Sequence, residues 1–311
     1  MGNQDAEAAG SLLALSNGLA GAVERAAGSL VAINARERIP SSGVLWRDGV
    51  VVTADHTVKR EEEITVALPD GSTVPATLAG RDPGTDVAVL RLESAGLKAA
   101  EVGDTASLKV GHLVLAVGRV GDRGPSASLG VVSAVGGAWR TWRGGQLEQF
   151  VRLDLAIYDG FSGGALVDLE GRVVGLNTSG LSRGGALTIP TATVNRVADE
   201  LLTRGHVSRA YIGVGMQPVL LPEALKTRLN LPNQSGVIVL AVEPDGPADK
   251  AGLLVGDVFV ALGNTAVNDT DDVQAALSGQ PVGRPLTASV IRGGEPAQLT
   301  ITVGERPRKG R

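Results

Sequence analysis

A chain of 311 residues holds about two domains at roughly 100–200 residues each, with cores that need no covalent staples. Its composition, 43% hydrophobic and 20% charged, excludes bulk disorder, and the absence of cysteine excludes disulfides, thiolate nucleophiles and cysteine-ligated metals. A net charge of −4 excludes a non-specific nucleic-acid binder.

The first residues, Met1 to Glu7, are acidic where an export signal is basic. The apolar stretch from Leu12 is broken by Ser16, Asn17 and Gly18, so no membrane span is expected. Without an export signal the compartment reads as cytoplasmic or unknown; a periplasmic or other extracytoplasmic protein with a trimmed N-terminus would read the same. Leu12, Leu15, Leu19, Ala22, Val23 and Ala26 have helical spacing, which makes residues 1–28 a partly helical segment.

From Val31 the pattern changes to short strands and turns. Gly43–Trp46 and Val50–Val52 flank Asp48-Gly49 as a hairpin, and Ile64–Leu68 and Val74–Leu78 form another. Val87–Leu90, Leu113–Val117, Val131-Val132, Ala165–Val167 and Val173–Leu176 continue the series. Many short strands with few helices predict a sandwich or barrel, and 43 glycines, about twice the usual ~7%, supply the turns. A helix follows Pro190, with Thr191 or Thr193 as its cap, an apolar face at Val194, Val197, Leu201 and Leu202, and Gly205 as its stop. Residues 205–209 read as a linker. Residues 210–305 mix strands with two short helices, one starting near Asp269 and running through Val273 and Leu277. Residues 306–311 form a basic tail.

Three histidines bound the chemistry: His56, His112 and His206. His112 at a strand start and His206 after a helix read as structural or exposed. His56 ends the strand Val51–Ala54, where a base can face a cleft. Ser162 lies in Gly160-Phe161-Ser162-Gly163-Gly164, whose small residues admit a substrate backbone. Gly160 can turn its N–H toward the same point as that of Ser162, and two converging N–H groups make an oxyanion hole. A plain glycine-rich turn is the bland alternative. The string also fits the nucleophile elbow of α/β-hydrolases, but that fold needs a helix after the serine and a histidine later still. Here a strand follows and the histidine precedes. Asp86 opens a buried-looking strand between the two, giving the order His, Asp, Ser; Asp82 before Pro83 reads as a turn residue.

Together Thr53-Ala54-Asp55-His56, Thr85-Asp86-Val87-Ala88-Val89-Leu90 and Gly160–Gly164 resemble the three active-site motifs of the HtrA/Deg family of trypsin-like serine proteases. The likeness extends to Ser128–Ser133, Asp154–Ile157 and Leu187–Pro190. Tyr211-Ile212-Gly213-Val214 is similar to the carboxylate-binding loop of the family's PDZ domain, and Val242–Leu253 with Gly256-Asp257-Val258 to its core.

The resemblance implies a mainly β chain: a chymotrypsin-like double β-barrel protease domain over 29–204, then one α/β PDZ domain over 210–305. It implies an ATP-independent serine endopeptidase acting on unfolded or damaged proteins. The catalytic residues would be His56, Asp86 and Ser162, with an oxyanion hole at Gly160 and Ser162. Ala156, Ile157 and Leu187 would line the S1 pocket, without a carboxylate, so small or medium aliphatic side chains would fit. C-terminal peptides would bind Tyr211, Ile212, Gly213 and Val214, with Val273 and Leu277 on the groove's other wall. A homo-oligomer, a trimer by the same likeness, is implied; no cofactor or metal is.

Two stretches depart from the family pattern. Tyr158-Asp159-Gly160-Phe161 replaces Asn-Pro-Gly-Asn before the serine, and Ala165 replaces a proline. Gly118-Arg119-Val120-Gly121-Asp122 replaces Gly-Asn-Pro-Phe-Gly. A less rigid oxyanion loop, or one resting in an inactive geometry, would follow. The alternative function is then a catalytically dormant, peptide-binding or chaperone-like module.

Overall fold

The computed structural model describes residues 3–93, 96–121, 124–182, 185–278 and 280–306. Residues 307–311 of the basic tail, and Asp122 of the departing stretch, lie outside them. The chain divides into two compact units, Met1–Val207 and Ser208–Arg311.

The first unit opens with helix α1 (Asn3–Ala27), longer than the periodicity from Leu12 predicts. Its last turns bury Ala22 and Ala26, while Leu12, Leu13 and Leu15 stay exposed. Strands β1 (Leu30–Asn34), β2 (Ser41–Arg47), β3 (Val50–Ala54), β4 (Ile64–Ala67), β5 (Thr73–Asp82) and β6 (Val87–Leu92) follow. They close into a barrel in the order β1-β2-β3-β6-β5-β4, with β4 pairing back onto β1.

Next come β7 (Leu113–Arg119), β8 (Pro125–Gly136), a small hairpin of β9 (Trp139–Arg140) and β10 (Gln146–Leu147), then β11 (Phe150–Asp154), β12 (Ala165–Val167), β13 (Val173–Thr178) and β14 (Ala186–Pro190). Six of these close a second barrel, β11-β14-β13-β12-β7-β8. Alternation along the strands sorts side chains to two faces. Val31, Ile33, Leu45, Val51, Val66 and Leu90 fill the first barrel, and Val114, Val132, Val151, Leu166 and Val174 fill the second. The opposite faces meet: Val44, Trp46, Val52, Val87 and Val89 of one barrel join Leu115, Val117, Leu176 and Leu187 of the other in one core.

Helix α2 (Thr191–Arg204) covers that core with Val194, Val197, Ala198 and Leu201, and ends on Gly205 at a left-handed φ of 74°. The expected threonine cap is absent. Pro190 is the N-cap, and the two threonines are engaged elsewhere: the Thr191 hydroxyl with Thr105, that of Thr193 with Glu148.

The second unit contains β15 (Ala210–Tyr211), β16 (Val214–Leu220), α3 (Glu223–Leu229), β17 (Ser235–Val242), α4 (Pro247–Lys250), β18 (Val258–Leu262), β19 (Thr265–Ala266), α5 (Thr270–Leu277), β20 (Pro285–Arg292), β21 (Glu295–Thr302) and β22 (Gly304–Glu305). The main sheet runs β16-β17-β18-β20-β21, with β19 on β18 and a separate β15–β22 pair. Its core is Val237, Val239, Phe259, Leu262, Val273, Leu286 and Val290. Among the described residues there are three short helices, where two are expected. Neither α3 nor α4 has a capping side chain to announce it, whereas Asp269 caps α5 by accepting from the N–H groups of Asp271 and Asp272.

Candidate active site

Three loops of the first unit bring the sequence-derived residues together. Strand β3 ends in a single 3₁₀ turn, Asp55–Thr57, which carries His56. Asp55 itself is buried and turned away, its carboxylate paired with Arg81. Burial pushes its pKa up against the pull of that guanidinium.

Asp86 stands just before β6, with no exposed surface and a left-handed φ of 59°. Aspartate tolerates that conformation better than most residues, and such strain collects at functional sites. The backbone before it is set by Asp82, whose carboxylate accepts from Gly84 N, Thr85 N and the Thr85 hydroxyl, as expected of a turn residue. The Asp86 carboxylate meets His56 Nδ1 at 2.8 and 3.0 Å and accepts the His56 N–H at 2.8 Å. It also accepts from the Thr178 hydroxyl. A carboxylate with three donors around it fixes the ring: Nδ1 carries the proton and Nε2 keeps the free pair. His56 is partly open, with its side chain 24% exposed.

Ser162 is 6% exposed, on the loop between β11 and β12. Gly160 before it takes a φ of +90°, and a Cβ there would meet Val120 Cγ2 at 2.6 Å and Pro40 O at 2.9 Å. Glycine is therefore required by both conformation and space. Its carbonyl is held by the first barrel, accepting the Ser42 N–H at 2.8 Å and the Ser42 hydroxyl at 2.7 Å. Among the described residues neither the Gly160 nor the Ser162 N–H has a hydrogen-bond partner. Phe161 is buried, stacks edge-on against exposed Tyr158 at 5.3 Å, and donates its N–H to Tyr158 O. The aromatic pair thus gives the departing stretch a contact of its own.

Across this loop run Ser179 and Gly180, which follow β13. Gly180 N donates to the Thr178 hydroxyl at 2.8 Å. A Cβ on Gly180 would lie 2.6 Å from His56 Nδ1 and 2.8 Å from Asp86 Oδ2, so only glycine passes. The Ser162 hydroxyl contacts the Ser179 hydroxyl at 3.1 Å and accepts the Ser179 N–H at 3.3 Å. Among the described residues it has no hydrogen bond to His56.

The remaining residues fall less tightly together. Ala156 is exposed, Ile157 packs against the core of the second barrel, and Leu187 is buried in the core between the barrels. Leu187 lies on β14 and Ala156 and Ile157 follow β11, the strand paired with it. His112 is exposed, with Nδ1 accepting from Lys109 N, and the ring of His206 lies 3.0 Å from Arg204 O. Among the described residues no cluster of His, Asp and Glu could hold a metal.

In the second unit Tyr211 lies in β15, Ile212 is buried, Gly213 has a φ of +78° and Val214 opens β16. The Ile212 and Gly213 carbonyls are taken by Ala248 N and Glu243 N, while their own N–H groups have no partner among the described residues. Among the described residues strand β16 pairs only with β17, which leaves its outer edge without a strand partner. Val273 and Leu277 of α5 are buried in the unit's core, against which Val214 and Met216 also pack.

Sequence reasoning missed Ser42, Thr178, Ser179 and Gly180. A polar pair directly before a glycine, Thr178-Ser179-Gly180 at a strand's end, was the only local signal.

Comparison with known proteins agrees with this architecture. Residues 41–176 match the trypsin-like peptidase domain family and residues 210–303 match the PDZ domain family. The probable periplasmic serine endoprotease DegP-like of Brucella suis is 37% identical over 274 residues, 86% of this chain and 52% of that protein. The same-named protein of Ectopseudomonas mendocina is 35% identical over 279 residues, 88% of this chain and 58% of that one. The chain spans about half the length of the curated relatives it matches. Among solved structures, the HtrA-type protease AlgW with decapeptide superposes with a TM-score of 0.76 at 30% identity, covering 93% of this chain and 99% of that one. The serine endoprotease from Yersinia pestis gives 0.74 at 30%, covering 92% and 97%. With both barrels, the PDZ unit and these relatives in agreement, the chain belongs to the HtrA/DegP-like family of serine proteases, which join a trypsin-like domain to a PDZ domain.

Proposed function

We propose that the protein is an ATP-independent serine endopeptidase that cleaves unfolded or damaged proteins. The observation that carries this reading is the His56 ring, bonded through Nδ1 to the buried Asp86 carboxylate, with Gly180 packed against that pair and its neighbour Ser179 bonded to Ser162. In the reaction Ser162 Oγ attacks the peptide carbonyl carbon and its proton passes to His56 Nε2. Asp86 keeps the ring in the reactive tautomer and faces the positive charge that forms on it. The unpartnered N–H groups of Gly160 and Ser162 receive the oxyanion. His56 then protonates the leaving amine, and water, activated by the same ring, releases the acyl group from Ser162.

The PDZ unit binds C-terminal peptides, which deliver substrate or regulate cleavage. A peptide strand adds to the open edge of β16, and its carboxylate takes the free N–H groups of Ile212 and Gly213. That the similar HtrA-type protease AlgW was solved with a decapeptide supports peptide binding by a chain of this architecture. The relatives' names place them in the periplasm, and we assign this chain the same compartment in preference to the cytoplasm. No helix among the described residues is long and apolar enough to cross a membrane. A homo-oligomer, a trimer by family likeness, completes the proposal; sedimentation of the whole chain tests it, and a monomer at working concentration would refute it.

A dormant protease with binding function alone is favoured by one observation: the Ser162 hydroxyl is bonded to Ser179 instead of His56. Labelling by a fluorophosphonate separates the readings. The active enzyme takes one label per chain at Ser162, and Ser162→Ala takes none; a folded, peptide-binding wild type that stays unlabelled would favour dormancy.

A further inference from the structure

We infer that Ser179 is a positioning residue that holds the Ser162 hydroxyl off His56 until substrate displaces it. The inference rests on Ser162 being the nucleophile. A serine hydroxyl has one proton and two lone pairs. Catalysis needs that proton on a line to His56 Nε2 and one lone pair aimed at the substrate carbonyl. Here the Ser179 N–H takes one lone pair at 3.3 Å, and the Ser179 hydroxyl stands 3.1 Å away as a second partner. Ser179 and His56 therefore compete for one side chain, and rotation about the Ser162 Cα–Cβ bond decides between them.

The position of Ser179 is fixed by its neighbours. Thr178 on one side donates to Asp86, and Gly180 on the other lies so close to the ring that an added Cβ would meet His56 Nδ1 at 2.6 Å. The segment that braces the His56–Asp86 pair thus carries a hydroxyl onto the nucleophile. Ser179 is itself exposed, so its side chain is not required by the core and an incoming peptide can reach it. The hydroxyl contact is longer than the ~2.7–2.8 Å usual for O–H···O, and the N–H contact longer than the ~2.9–3.0 Å usual for N–H···O. The hold is a bias on the nucleophile, not a lock.

The test is the rate of fluorophosphonate labelling of the full chain, resolved into reversible binding and the covalent step, for wild type, Ser179→Ala, Ser179→Thr and Ser162→Ala. The covalent step of Ser179→Ala should be faster by roughly 2- to 10-fold, the size of one neutral hydrogen bond, with reversible binding and thermal unfolding unchanged. Ser179→Thr, which keeps the hydroxyl, should return to within about twofold of wild type. Labelling of Ser179→Ala alone, with wild type silent, would support the inference in its strongest form. A Ser179→Ala rate equal to or below wild type would overturn it while leaving Ser162 as nucleophile. Absence of labelling in both folded proteins would overturn the inference and the protease reading together.

Discussion

At Asp86 a carboxylate with no exposed surface sits in a left-handed backbone and accepts three donors, from His56 N–H, His56 Nδ1 and Thr178. Asparagine is close to isosteric, yet its NH2 group would donate where the ring must donate, forcing the wrong histidine tautomer. We expect Asp86→Asn to lower kcat by about 10³–10⁴-fold while the fold and peptide binding persist, a loss of the size known for such triads. Equal turnover would remove Asp86 from the site. Gly180→Ala tests the other side of the pair: its methyl would meet His56 Nδ1 at 2.6 Å, so the ring must shift. Turnover should fall by at least about 100-fold, with circular dichroism unchanged. His56, Asp86 and Ser162 were legible in the sequence because only three histidines exist and one stands before a suitably placed aspartate and serine. Ser42, Thr178 and Ser179 were not, because a serine or threonine in or just after a strand does not show in sequence what packs against it. The S1 residues were read from likeness alone, and which face Leu187 takes depends on the register of β14, which sequence spacing does not fix.

Elements show the same division between local and tertiary signals. The hairpins of the first barrel were legible from alternation and turn residues. The stop of α2 was legible at Gly205, but its cap was not, since tertiary partners in Thr105 and Glu148 claim both threonines. Leu201 lies at 1% exposure on the face of α2 that seals the inter-barrel core. Leu201→Ala should cost about 2–5 kcal/mol in urea unfolding. The β9–β10 hairpin, unmarked in the sequence reading, clasps the turn that leads to Asp86: the buried Thr141 hydroxyl donates to Gly84 O at 2.7 Å and accepts from Gly145 N at 3.0 Å. Thr141→Val leaves two buried backbone groups unpaired, so we expect a loss of about 1–3 kcal/mol together with reduced kcat.

At the scale of the whole molecule, the chain holds two units with separate cores. In the second unit Asp257 is buried, which alone would raise its pKa. Arg292 at 2.7 and 2.8 Å and the Leu254 N–H outweigh burial and hold the carboxyl below its ordinary value. A lowered carboxyl pKa stabilises the fold above the unfolded-state value near 3.9, and that stability is lost as pH falls through the folded value. Asp257→Asn should therefore destabilise the protein near neutral pH, by roughly 1.5–3 kcal/mol, and the deficit should shrink below about pH 4. A deficit independent of pH would contradict the ionic origin. The order of barrels and PDZ unit was legible because several short motifs occur in sequence along the chain, each weak alone.

The most direct measurement is cleavage of an unfolded protein such as casein by the full chain and by Ser162→Ala, with and without peptides ending in a hydrophobic residue. We expect turnover in the wild type, none in Ser162→Ala, equal peptide binding in both, and a change of rate when peptide is added. Turnover that survives Ser162→Ala, or a folded wild type that binds peptide and cleaves nothing, would contradict the assignment of a working serine endopeptidase.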